Sequence, residues 1–140
     1  MIKQLLFTVL LLGTIAGCKN DKADPQAKIE GIVGRWKATE IENLKNGNKV
    51  WQTVNNSAWF ISFHTDGSVA DDNGNLICCA PNILTIDGLT IKIPAETDLP
   101  SQSCASTRCS GCMNWGIEQR GDEIIIAVCN SSRIKYARVR

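Results

Sequence analysis

Six cysteines between residues 78 and 129 are the side chains best suited to chemistry. They are Cys78, Cys79, Cys104, Cys109, Cys112 and Cys129. Thiolates bind zinc, and a C-x2-C pair such as Cys109 and Cys112 is a common half of a zinc site. The second half is missing, because the only histidine of the chain, His64, is far away in sequence. The same cysteines can instead form disulfides, so the cellular compartment decides between the two chemistries.

The seventh cysteine, Cys18, follows a segment with the features of an export signal. Lys3 supplies a positive charge, and Leu5–Ile15 is mostly apolar but too short to span a bilayer. The segment ends Ile15-Ala16-Gly17-Cys18, which resembles the lipobox of bacterial lipoproteins. The resemblance implies that residues 1–17 are a cleaved signal peptide and that Cys18 becomes a lipidated N-terminus. A plain signal peptide with an incidental cysteine is the alternative.

The residues after Cys18 are polar and charged, and they include Pro25. Such a composition buries little apolar surface, so residues 18–29 are expected to be the lipidated cysteine and a flexible tether. Residues 30–140 then form the folded domain. Lys19 directly after the cysteine is similar to the pattern of lipoproteins retained at the outer membrane. The resemblance thus implies a membrane partner, through a lipid anchor, in the bacterial cell envelope.

Export favours disulfides over zinc for the six remaining cysteines, because exported compartments are oxidising. Six cysteines allow about fifteen connectivities, and spacing does not choose between them. A bond between the neighbours Cys78 and Cys79 would strain the peptide, so we expect separate partners. We expect no metal and no cofactor.

The charge balance excludes one class of partner. The chain has 15 basic and 14 acidic residues, and cleavage after residue 17 removes only Lys3, which leaves 14 of each. A neutral mature chain does not attract nucleic acid, so no nucleic-acid partner is expected.

Short alternating segments separated by turn residues dominate the domain. Apolar residues alternate over Ala58–His64 and Leu89–Ile93, and Asn46-Gly47 is a strong hairpin turn. No segment is typical of a helix of three turns. The pattern predicts an all-β fold, a small antiparallel up-and-down barrel of roughly eight to ten strands, with a β-sandwich as the alternative. Pro94–Gly111 has no periodicity and is expected to be a long loop held by disulfides.

Gly34-Arg35-Trp36, at the start of the first strand, resembles the G-x-W opening of lipocalin-like domains. A basic closing strand, Ile134–Val139, and the preceding lipobox are similar to those of small bacterial lipoproteins with a lipocalin-like domain. The resemblance implies that Trp36 lies across the barrel base and that an arginine of the last strand packs over it. Arg138 is the expected arginine, and Gly34 allows the backbone to approach closely. This barrel-base cluster is structural.

The lipocalin resemblance also implies a function. It predicts a barrel that binds a small hydrophobic ligand, with Trp51, Trp59 and Trp115 as candidate lining residues. The same tryptophans could simply fill the core. A filled barrel would favour the alternative, a protein-interaction or inhibitor module of the envelope that presents the loop Ala105–Ser110.

An enzyme is the least favoured class. His64 is expected to face solvent, with no residue that orients it as a base. Glu40 and Glu42 lie two residues apart on one strand, and a hydrated outer face is their expected environment. Asp71 and Asp72 precede Asn73-Gly74 and are expected in a turn without an ordered series of calcium ligands.

Overall fold

The structure, a computed structural model, describes residues 23–55, 59–94, 109, 113–129 and 131–140. Within these residues one helix precedes nine strands. The elements are α1 (Pro25–Ile32), β1 (Gly34–Lys45), β2 (Asn48–Thr53), β3 (Phe60–Phe63), β4 (Val69–Ala70), β5 (Ile83–Ile86), β6 (Leu89–Lys92), β7 (Asn114–Arg120), β8 (Glu123–Val128) and β9 (Arg133–Arg138). No helix in this part of the chain is long and apolar enough to cross a bilayer.

Helix α1 has a defined N-terminal cap. The side chain of Asp24 accepts a hydrogen bond from the backbone N–H of Gln26, and Pro25 occupies the first turn, where its missing N–H costs nothing. Ile29 and Ile32 lie one turn apart and are both buried. The last five residues of the predicted tether, residues 18–29, therefore belong to a capped helix that packs on the domain.

All nine strands belong to one sheet, which curls strongly into a half-barrel. The order across it is β4-β3-β1-β9-β8-β7-β5-β6, with β2 also paired to β1. The first and last strands, β1 and β9, are neighbours in the middle of the sheet. The predicted all-β class and small barrel-like sheet are confirmed.

The strand order departs from the predicted up-and-down succession at one place. Strand β5 pairs parallel with β7, whereas every other strand pair is antiparallel. Lys92, at the end of β6, and Asn114, at the start of β7, both lie opposite Ile83. Strands β6 and β7 therefore flank β5, and the connection over residues 93–113 joins the two sides of that strand at one end.

One continuous apolar cluster covers the inner face of the sheet. Its buried members come from α1, from eight of the nine strands and from Ile93, just after β6: Ile29, Ile32, Trp36, Ala38, Ile61, Phe63, Val69, Leu84, Ile86, Ile91, Ile93, Trp115, Ile117, Ile124, Ile126 and Tyr136. Alternation along the strands produces this face, since successive side chains point to opposite sides.

Strand β1 pairs with three other strands along its length. Its first residues pair with β3, its middle with β9 and its last six with β2. The register with β9 shifts between Ala38 and Glu40, which leaves Thr39 as the extra residue of a bulge. The bulge reverses the alternation, so Glu40 and Glu42 point to the outer face and Ile41 faces Ile134 on the inner side.

Candidate functional site

The structure brings the three residues of the barrel-base cluster together. Trp36 and Arg138 are directly opposite each other on β1 and β9. The guanidinium carbon of Arg138 is 4.2 Å from the centroid of the Trp36 ring, which is fully buried. Gly34 has a φ of 121°, and a Cβ there would lie 3.2 Å from Nη1 of Arg138. A side chain at position 34 would therefore be strained and would crowd the arginine.

The cluster also binds the C-terminal end of α1. Arg138 donates from Nη1 to the carbonyl of Val33 and from Nη2 to the carbonyl of Gly31, each at 2.7 Å. Nε1 of Trp36 donates to the carbonyl of Ile32, also at 2.7 Å. The last carbonyls of a helix have no partner within it and carry partial negative charge, so a guanidinium there satisfies and stabilises them.

Two further contacts hold α1 in place, and both come from residues that are distant in sequence. Gln119 donates from Nε2 to the carbonyl of Gly31 at 2.8 Å. Lys28 lies 2.7 Å from Oδ2 of Asp87, and the hydrogen bond from this lysine holds the pKa of Asp87 below its usual range. The partners of Gly31 and Lys28 are 88 and 59 residues away, so no spacing rule could find them.

Four of the six predicted disulfide cysteines fall within the described residues. Cys79 is bonded to Cys109, with their Cα atoms 5.3 Å apart, which confirms a disulfide in the domain. Cys78 and Cys129 are also disulfide-bonded. Cys104 and Cys112, like the lipidation residue Cys18, lie outside the described residues. The vicinal pair is separately bonded, as predicted.

The three candidate ligand-binding tryptophans do not share one cavity. Trp115 belongs to the core cluster and is 8 % exposed. Trp59 is 37 % exposed. Trp51 lies on the outer face opposite Glu42, because the bulge at Thr39 reverses the alternation before this point. The interior site expected from these three residues is therefore not assembled.

An outer charged cluster surrounds Trp51. Its members are Glu40, Glu42, Trp51, Arg133 and Lys135. The Lys135 ammonium lies 4.6 Å from the Trp51 ring centroid and forms an ion pair with Glu40. The Arg133 guanidinium lies 5.5 Å from that centroid and binds Glu42 through two nitrogens, at 2.6 and 3.1 Å. Glu40 therefore pairs with Lys135 and Glu42 with Arg133, and the two carboxylates do not form an acid–base pair.

Glu42 is the one buried charged residue of the part of the chain that the structure describes, at 5 % exposure. The hydrogen bonds from Arg133 hold the pKa of Glu42 below its usual range, against the opposing effect of burial. The same contact raises the pKa of Arg133. Both groups are therefore charged throughout the physiological range, which makes the pair a structural contact between β1 and β9.

The hairpin of β1 and β2 carries an open groove next to this cluster, lined by both polar and apolar residues. Asn46 and Gly47 form its turn, with positive φ angles of 53° and 79°. The groove measures about 550 Å³ and is lined by Asn43, Leu44, Lys45, Val50, Trp51 and Gln52. Leu44 is 74 % exposed, the highest value among the large apolar residues described. Leu44 and Val50 together form the exposed apolar part of this groove.

His64 and Asp71, the other residues weighed for chemistry, lie beside turns. Nδ1 of His64 is 3.1 Å from the hydroxyl of Ser68, four residues away and across one turn. Asp71 accepts hydrogen bonds from the backbone N–H groups of Asn73 and Asn75, so its carboxylate closes its own loop. Among the described residues no group of histidine, cysteine and carboxylate side chains has the arrangement of a metal site.

Comparison of the chain with protein-family models, with curated proteins and with solved structures finds no match. The class of protein therefore follows from the fold alone: an all-β domain with one curled sheet, a short helix over its end and disulfides among its loops.

Proposed function

We propose that this protein is a lipid-anchored lipoprotein of the bacterial envelope whose barrel-like domain binds a partner protein. The observation that carries the proposal is the continuous cluster of buried side chains on the inner face of the sheet. Aromatic and branched side chains occupy the place where a lipocalin-like domain would hold a ligand. Two of the exposed large apolar residues, Leu44 and Val50, lie together on the hairpin of β1 and β2, away from this inner face.

The position of the hairpin supports this role. Helix α1 includes the end of the expected tether, and β1 starts two residues after the helix ends. A strand of twelve residues spans roughly 40 Å. The hairpin turn therefore lies at the opposite end of β1 from the tether, where it can meet another protein of the envelope.

Cross-linking from a defined position tests the interaction. A photoreactive amino acid at Leu44 in the full chain should give a discrete adduct with an envelope protein in growing cells. The matched control carries the same group at Thr90, which is exposed on β6 at the other end of the sheet. Equal adducts from both positions, or none from Leu44, would contradict the proposal.

Mass spectrometry tests the lipid anchor. The mature protein isolated from membranes should begin at Cys18 and carry acyl mass, and Cys18→Ser should abolish both the acyl mass and membrane retention. An unmodified Cys18, or a Cys18→Ser variant that is processed and retained like the parent, would argue against anchoring.

Binding of a small hydrophobic ligand is the second candidate, and one observation favours it. Nε1 of the buried Trp115 has no hydrogen-bond partner. A buried donor without an acceptor is costly, and a ligand oxygen could satisfy it. A fluorescent fatty acid should then quench tryptophan emission in the parent chain and much less in Trp115→Phe. Absence of probe uptake removes this candidate and leaves the protein-interaction role.

A further inference from the structure

Strand β2 is held in the sheet through one edge. Among the described strands it pairs with β1 alone. The two-residue turn makes Lys45 and Asn48 a hydrogen-bonded pair, and such pairs alternate along an antiparallel ladder. The bond from the N–H of Val54 to the carbonyl of Thr39, at 2.8 Å, continues the same alternation.

This alternation decides which backbone groups of β2 face outward. The even-numbered residues, Asn48 to Val54, direct their N–H and C=O groups to β1. The odd-numbered residues Lys49, Trp51 and Thr53 direct theirs to the open edge. All residues of β2 except the half-buried Trp51 are exposed, so within the described part of the chain no side chain covers this strand. An open row of donors and acceptors is the template for addition of another strand.

The side chains beside this edge define the chemistry of the strand that would fit. Leu44 and Val50 are exposed apolar residues of the groove. Lys45 and Lys49 are the only charged residues between positions 43 and 53. Lys49 lies 3.6 Å from Glu42, but Arg133 already binds that carboxylate through two nitrogens. The edge therefore has an uncompensated positive charge next to apolar surface.

We infer that the open edge of β2 binds an extended acidic segment of a partner protein, which adds to the sheet as a further strand. The inference rests on the proposed interaction role and identifies its surface and its partner chemistry. Backbone hydrogen bonds to Lys49, Trp51 and Thr53 align the segment. Apolar side chains contact Leu44 and Val50, and carboxylates pair with Lys45 and Lys49. A second copy of this chain fits less well, because lysines on an edge strand oppose self-pairing.

Peptide binding to the full chain tests the inference. The probes are two short fluorescent peptides, one alternating valine with glutamate and the other alternating valine with lysine. Fluorescence anisotropy should show tighter binding of the acidic peptide. The double variant Lys45→Glu/Lys49→Glu should weaken that binding roughly tenfold, the equivalent of two modest ion pairs. The matched control is Lys92→Glu on β6, the edge strand at the other end of the sheet, which should bind like the parent.

Thr53→Pro tests the strand geometry without a change of charge. The backbone N–H of Thr53 faces the open edge, so proline removes a hydrogen bond that this N–H would donate to the added strand. The hydrogen bonds between β2 and β1 are unchanged. This variant should bind the acidic peptide severalfold more weakly while its circular dichroism spectrum matches that of the parent.

The possible outcomes separate the inference from the proposed function. Equal binding of both peptides, full binding by the double lysine variant, or a concentration-dependent dimer that Thr53→Pro abolishes would overturn strand addition by an acidic partner. Cross-linking at Leu44 would still succeed if the interaction role holds through another contact. Quenching of Trp115 by a fatty acid without cross-linking would overturn the interaction role itself.

Discussion

Arg138 packs its guanidinium 4.2 Å from the ring centroid of Trp36 and, in the same position, donates hydrogen bonds to two carbonyls at the end of α1. One side chain thus connects the first strand, the last strand and the N-terminal helix α1. The planar guanidinium can do this because it has several fixed donors and a flat face for the indole.

Arg138→Lys should therefore lower the free energy of unfolding by roughly 1–3 kcal/mol, since an ammonium cannot stack on the ring and reach both carbonyls. Chemical denaturation followed by tryptophan fluorescence measures the change. The control is Arg140→Lys, because the side chain of Arg140 is 86 % exposed and its change should have little effect. Equal losses in the two variants would show that the contacts to α1 contribute nothing specific.

The parts of this fold that local sequence predicts are those with local causes. Asn46-Gly47 forms the predicted hairpin because both residues adopt positive φ. The strands on either side of Gly121-Asp122 also pair across a two-residue turn. Ile125 interrupts the alternation of β8 because it is buried on the outer face, outside the core cluster.

The parts that sequence did not predict depend on distant or irregular contacts. The parallel pairing of β5 with β7 follows from a long connection whose course no turn motif specifies. The bulge at Thr39 carries no distinctive residue type, yet it moves Trp51 to the outer face and so removes it from the predicted ligand site. The pairing of Glu42 with Arg133 joins residues 91 positions apart.

Removal of the disulfide between Cys79 and Cys109 should destabilise the domain. The bond joins residues 30 positions apart, and restriction of a loop of this length contributes roughly 3–4 kcal/mol in the chain-entropy account. Replacing both cysteines by serine leaves no free thiol, so urea denaturation of that double variant measures this bond alone. Reductant should still destabilise the variant further, since Cys78 and Cys129 are also bonded. A double variant as stable as the parent would refute a stabilising role.

Glu42 should make the folding stability of the domain decrease at low pH. Its pKa is lowered in the folded state by Arg133, so its contribution is present above the ordinary glutamate pKa of about 4.3 and is lost as pH falls through the lower folded value. The melting temperature of the parent should therefore fall more steeply below about pH 4 than the melting temperature of Glu42→Gln. Glu30→Gln, on the exposed side of α1, should retain the steep fall. Parallel curves for the parent and Glu42→Gln would contradict this assignment.

Tyr136 should make the folding stability of the domain decrease at high pH, and the ionisation of this one residue can be measured directly. Burial raises its pKa to about 12, and it is the only tyrosine of the chain. The neutral phenol is favoured in the folded state, so its contribution is complete below the unfolded pKa of about 10 and is lost as pH rises toward 12. Phenolate absorbance of the folded protein should therefore appear well above pH 10, whereas in denaturant it should appear near that value. Tyr136→Phe should lose less stability than the parent over the same interval, by about 2 kcal/mol at its alkaline end. A phenolate transition at the same pH in the folded and denatured chains would show that the Tyr136 hydroxyl is in contact with water and not buried in the core.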